Sequence, residues 1–136
     1  MTERILLEIA LAHMVAGLAF AALPLLPAVH SGLAAAIFGE AKATREVQFL
    51  VSAFGPTVAS WAVLFYALVR AFFRNPTRGS WWALVLSIVI WAPLDSALCI
   101  YYGLYAAVAI NAAVALVVLG LLMSVRRLAY RRVSPF

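Results

Sequence analysis

Apolar residues run along this chain in four long blocks, and the polar positions between them mark where each block ends. The stretch from Val47 to Val69 is 23 residues without a charge, and roughly 20 suffice for a helix to cross a bilayer. An N-terminal run from Ile5 to about Leu26 is interrupted by Glu8 and His13. It is longer than the apolar region of a secretory signal peptide and ends in "LPLLPAVH", so it predicts a retained helix. The run from Ser80 to Val125 would be about 69 Å long as one helix, more than twice the roughly 30 Å hydrocarbon thickness. It therefore predicts a hairpin of two spans. The turn falls near Gly103, where "YYGLY" joins a residue tolerant of positive φ to interface-seeking tyrosines.

The pattern thus predicts an all-α membrane protein: a four-helix bundle forming one integral membrane domain over residues 1–136. The spans lie at about 5–27, 47–71, 80–101 and 105–125, with an outer connection at 28–46. In that connection "SGLAAAIFGEAKATREV" is apolar enough for a short surface helix ended by Gly39, or serves as a plain connector. The second connection, "RNPTRGS", is a tight turn broken by Asn75-Pro76, after which Trp81 and Trp82 are placed at the interface. Pro56, next to Gly55, and Pro93 each remove a backbone donor, predicting kinks in the second and third spans.

Composition reinforces this picture: 67% of residues are hydrophobic and 11% charged, far too apolar for one small water-soluble core. Charge then adds an orientation. Arg4, Arg70, Arg74, Arg78, Arg126, Arg127, Arg131 and Arg132 flank one side, against Lys42 and Arg45 on the other, where Glu40 and Glu46 offset them. That bias predicts both termini in the cytoplasm. Nine arginines to one lysine, with abundant alanine, suggest a GC-rich bacterial genome and hence the inner membrane. The basic residues are explained by topology, so no nucleic-acid partner is expected. "RRLAYRR" reads as a juxtamembrane segment attracted to anionic lipid.

Candidate chemistry is confined to a few polar groups in the spans. From Gly79 to Val125 the one charged side chain is Asp95. Asp95 precedes Gly103 by eight residues and Asn111 follows it by eight, which puts both about 12 Å from the turn in an antiparallel hairpin. Asn111 is therefore the first candidate partner, with Tyr101 and Tyr102 as others. Gln48, Ser52 and Thr57 descend about 1.5, 7.5 and 15 Å below Val47, bracketing the depth of Asp95. Such groups usually face a bundle interior or a wet cavity, and they predict a polar layer in the outer half. Packing glue is the competing reading.

On the other side, Glu8 is a candidate ion-pair partner for Arg70, or for Arg4 four residues before it. His13, about 12 Å beyond Ile5, is a hydrogen-bonded interior residue or a step in a proton relay towards Asp95. No second histidine or cysteine accompanies it at metal-ligand spacing, so no metal and no cofactor is expected. The lone Cys99 reads as packing and excludes an internal dithiol mechanism. Gly17, Ala53, Gly55 and Ala59 allow close helix approach, in the bundle or against a partner.

No nucleophile–base pair, phosphate loop or haem-ligating histidine pair appears, and enzymatic chemistry would rest on Asp95, His13 and tyrosines. The sequence points first to a non-enzymatic membrane component, or a protein binding a lipid or small molecule near Asp95. The alternative is a small proton-coupled transporter in which Asp95 titrates. Membrane lipids are expected partners, with a protein partner or a second copy of the chain besides.

Overall fold

A computed structural model describes residues 1–39 and 44–130. The charges at Glu40, Lys42, Arg131 and Arg132 lie outside the described residues. The described chain is helical: α1 (Thr2–Ala22), a 3-10 turn (Leu23–Leu25), α2 (Pro27–Phe38), α3 (Arg45–Arg74), α4 (Arg78–Tyr101), α5 (Tyr105–Ser124) and the short α6 (Arg126–Tyr130). Four helices are long and apolar enough to cross a membrane: Thr2–Leu25, Arg45–Arg74, Arg78–Tyr101 and Tyr105–Ser124.

The expected boundaries shift for local reasons. The first span ends near Leu25 rather than 27, because Pro24 cannot donate to Phe20 and the last turn tightens to 3-10 geometry. Pro27 then opens α2 at its first position, where a missing N–H costs nothing. Gly39, with φ of +85°, ends α2 at the position the sequence marks. The third span starts at Arg78 rather than 80. Thr77 caps it, accepting from Ser80 N–H at 3.1 Å while Ser80 Oγ accepts from Thr77 N–H at 3.3 Å. Pro56 and Pro93 lie inside α3 and α4, which both continue past them.

The chain divides into two compact units. The first joins residues 1–7 to the chain from Ala67 onward. Within it α4 and α5 form the hairpin, and Gly103 (φ +75°) turns it. Leu104 N–H bonds to Cys99 C=O at 2.7 Å and Gly103 N–H to Ile100 C=O at 3.0 Å, a Schellman closure that uses up carbonyls left over at the end of α4. Buried positions on α4 fall at Trp81, Leu84, Val85, Ile88 and Ala92, and on α5 at Asn111, Val118 and Leu122. Those are single stripes at helical spacing. Trp81 is a correction to the expected interface anchor: it is fully buried, and its indole N–H donates to Leu122 C=O at 3.0 Å. That carbonyl is one of the four that the end of α5 leaves without a helix partner, and Ser124 Oγ–H takes the preceding one, Leu121, at 2.7 Å. Trp82 is exposed.

The second unit spans Glu8–Tyr66 and has a core of small residues: Ala10, Gly17, Ala34, Gly55, Ala59 and Ala62 are buried. Here α1 and α3 meet backbone to backbone. A Cβ on Gly17 would come within 2.5 Å of Ala59 N and 2.7 Å of Gly55 O, and one on Gly55 within 2.5 Å of Gly17 O. The pairs Gly17/Ala21 and Gly55/Ala59 are each four residues apart, the small-xxx-small spacing on two facing helices. The close approach foreseen for these glycines is thus made inside the chain.

Candidate functional site

Asp95 lies on α4, half-buried, and Asn111 on α5 is buried. Asn111 Nδ2 donates to Asp95 Oδ2 at 2.5 Å, and the Cys99 thiol, one helical turn along from Asp95, points to the same oxygen at 3.9 Å. The equal spacing about Gly103 sets this contact: a tight turn keeps residues equidistant from it at one depth. Both hydrogen bonds fall on Oδ2. Among the described residues no side-chain nitrogen or oxygen is both buried and unpartnered, so Oδ1 keeps accessible surface. The arrangement is a carboxylate with one oxygen held by neutral donors and the other open to an approaching donor or proton.

Gln48 and Ser52 belong to the other unit, where the Gln48 main-chain carbonyl and the Ser52 hydroxyl meet His30, a residue of the expected outer connection at 28–46. His30, in the first turn of α2, is 6% exposed. Its Nε2 lies 2.8 Å from Gln48 C=O and 3.1 Å from Ser52 Oγ, which itself donates to that carbonyl at 3.2 Å. A carbonyl can only accept, so Nε2 carries the proton and donates. The cluster ties α2 to α3. The sequence signals only the Ser52 part of it, because Gln48 contributes its main-chain carbonyl, which any residue at that position would supply. What periodicity did not indicate is that His30 turns inward.

The remaining candidates are placed separately. Thr57 is exposed on α3. Tyr101 and Tyr102 are exposed at the end of α4 and pack edge to face with each other, ring centroids 5.1 Å apart. His13 Nδ1–H donates to Ile9 C=O at 2.8 Å, and its ring meets Trp61 edge-on at 5.8 Å. Arg70 makes an ion pair with Glu3, at 3.6 Å. Helix α1 starts at Thr2, earlier than the span boundary at Ile5, which brings Glu3 onto the helix as a partner. Both side chains of that pair are more than a third exposed, so it adds little stability.

At the open end of the α4–α5 hairpin lies a group that the sequence reading did not assemble. Arg78 stacks 4.8 Å from the centre of the Tyr130 ring, and Arg126 stacks 5.2 Å from the same ring and 5.7 Å from that of Trp81. Trp81 in turn meets Tyr130 and Trp82 edge to face, at 6.1 and 4.9 Å. A shallow groove in the second unit is lined by Arg45, Glu46, Phe49 and Leu50. Among the described residues no three His, Cys, Asp or Glu side chains gather as a metal site. The chain matches no family model, no curated protein and no solved structure.

Proposed function

We propose that this chain is a multi-pass protein of a bacterial inner membrane, with both termini cytoplasmic and α3 and α4 kinked at Pro56 and Pro93. In this reading it is a non-enzymatic component that holds a lipid, a small molecule or a partner helix at Asp95. The observation that carries the reading is the half-open carboxylate. Asn111 and Cys99 fix Oδ2, and Oδ1 remains able to accept a hydrogen bond at mid-hairpin. In hydrocarbon an open acceptor favours a donor, and a hydroxyl, amide or ammonium group supplies one. The apolar faces around it, with Leu94, Leu98 and Ile110 exposed, suit an occupant with an acyl or apolar body.

The test is purification from source membranes in mild detergent followed by intact-complex mass spectrometry, with wild type and Asp95→Leu side by side. A stoichiometric protein, lipid or small molecule carried by wild type and lost from a folded Asp95→Leu variant is the expected result. Equal retention by both removes Asp95 from the binding role.

The neutrality of the Asp95 partners favours one second reading. An amide and a thiol leave the carboxylate free to exchange a proton without breaking an ion pair, as a proton-coupled transporter requires. That reading expects Asp95→Asn to abolish substrate-driven proton flux in liposomes while the fold survives; unchanged flux discards it.

A further inference from the structure

The arginine–aromatic cluster at the open end of the hairpin takes no part in the Asp95 site. Arg78 and Arg126 are exposed, stacked on one tyrosine ring, and among the described residues neither pairs with a carboxylate. Their unit contains two described carboxylates. Glu3 is engaged by Arg70, and Asp95 lies 17 residues along α4 from Arg78, about 25 Å at the helical rise. Neither of these described carboxylates neutralises them.

A guanidinium held over a ring by cation–π attraction keeps N–H donors to offer, and these match the oxygens of a phosphate in paired hydrogen bonds. The Tyr130 ring also fixes both cations before any ligand arrives, which lowers the ordering cost of binding. Trp81, buried and bonded to the end of α5, anchors the platform, while exposed Trp82 offers an amphipathic ring suited to the headgroup layer.

We propose that Arg78 and Arg126, held on Tyr130, form a specific site for the phosphate of an anionic phospholipid headgroup. This goes further than a general attraction of basic residues to a negative surface, because it depends on the ring and on guanidinium geometry and not on charge alone.

The test uses the full chain in nanodiscs of zwitterionic lipid doped with anionic phospholipid, reading bound anionic lipid by native mass spectrometry. The variants are Arg78→Lys/Arg126→Lys, Tyr130→Leu and Arg74→Lys. Wild type and Arg74→Lys should retain the anionic lipid. The double lysine variant, with net charge unchanged, and Tyr130→Leu should each lose about tenfold in retention, the loss of one paired hydrogen-bonded contact. Full retention by the double lysine variant would overturn the proposal and leave only diffuse charge. So would equal losses in Arg74→Lys. Inorganic phosphate is titrated in detergent as the second arm; saturation there at concentrations that displace the lipid would assign the site to free phosphate instead. Far-UV circular dichroism and thermal unfolding of each variant report whether it keeps the helical fold, so that misfolding is separated from lost binding.

Discussion

At the scale of single residues, the decisive contact is the one from Asn111 to Asp95. An interhelical hydrogen bond in a membrane protein is worth about 1 kcal/mol, because the unfolded helices find other partners in the bilayer. Asn111→Leu should therefore destabilise by about 1–2 kcal/mol, since it strips Asp95 Oδ2 of its amide donor. Asp95→Asn should be close to neutral, because the new amide oxygen still accepts from Asn111. The double variant Asp95→Leu/Asn111→Leu should cost less than the sum of its single changes, the mark of a coupled pair. Unfolding equilibria in mixed micelles measure all four, and strict additivity would deny the coupling. The pair was legible in the sequence because Gly103 makes a symmetric origin for counting depth. Cys99 and His30 were not, since which way each faces depends on helix rotation, and hydrophobic periodicity says little about rotation when nearly every position is apolar.

At the scale of elements, the spans could be read from length and hydropathy, while their ends belong to backbone chemistry. Proline at 24 and 27 and the Thr77/Ser80 cap set helix ends two residues from the expected boundaries, whereas Gly39 and Gly103 held theirs because positive φ is a strict demand. The contact between α1 and α3 was legible only as a capacity: small residues permit close approach without naming the partner. Its geometry now makes a sharp comparison. Gly17→Ala or Gly55→Ala would place a methyl carbon against backbone atoms of the facing helix at about 2.5 Å, an overpacking that backbone cannot relieve cheaply and that should cost about 1–3 kcal/mol. Gly120→Ala on α5 meets nothing within 4 Å and should be neutral or stabilising by up to about 1 kcal/mol. Thermal unfolding of the three variants in detergent checks the contrast, and similar losses at all three sites would mean that α1 and α3 do not touch there.

At the scale of the whole molecule, the proposed orientation rests on arginine placement. Among the described residues Arg74 and Arg78 bracket the short connection between α3 and α4, and Arg126 and Arg127 follow α5, while the Gly103 turn carries no charge. Retaining cationic flanks on the cytoplasmic side then places the Asn75–Thr77 connection inside and the Tyr101–Leu104 turn outside. Single cysteines test this on a Cys99→Ala background, which removes the one native thiol. In spheroplasts of a bacterial host, Tyr102→Cys should react with a membrane-impermeant maleimide, and Asn75→Cys should react only after the membrane is permeabilised. Both residues are exposed, so accessibility to the reagent reports the side of the membrane and not burial in the protein. The reverse labelling would turn the molecule over, placing the Arg78–Tyr130–Arg126 cluster at the outer leaflet and Asp95 nearer the cytoplasm. Labelling of both sites in intact spheroplasts would mean that copies insert both ways. Labelling confined to Tyr102→Cys would set the phosphate-binding cluster in the leaflet that holds the juxtamembrane arginines, and would leave the open oxygen of Asp95 to an occupant arriving through the outer half of the bilayer.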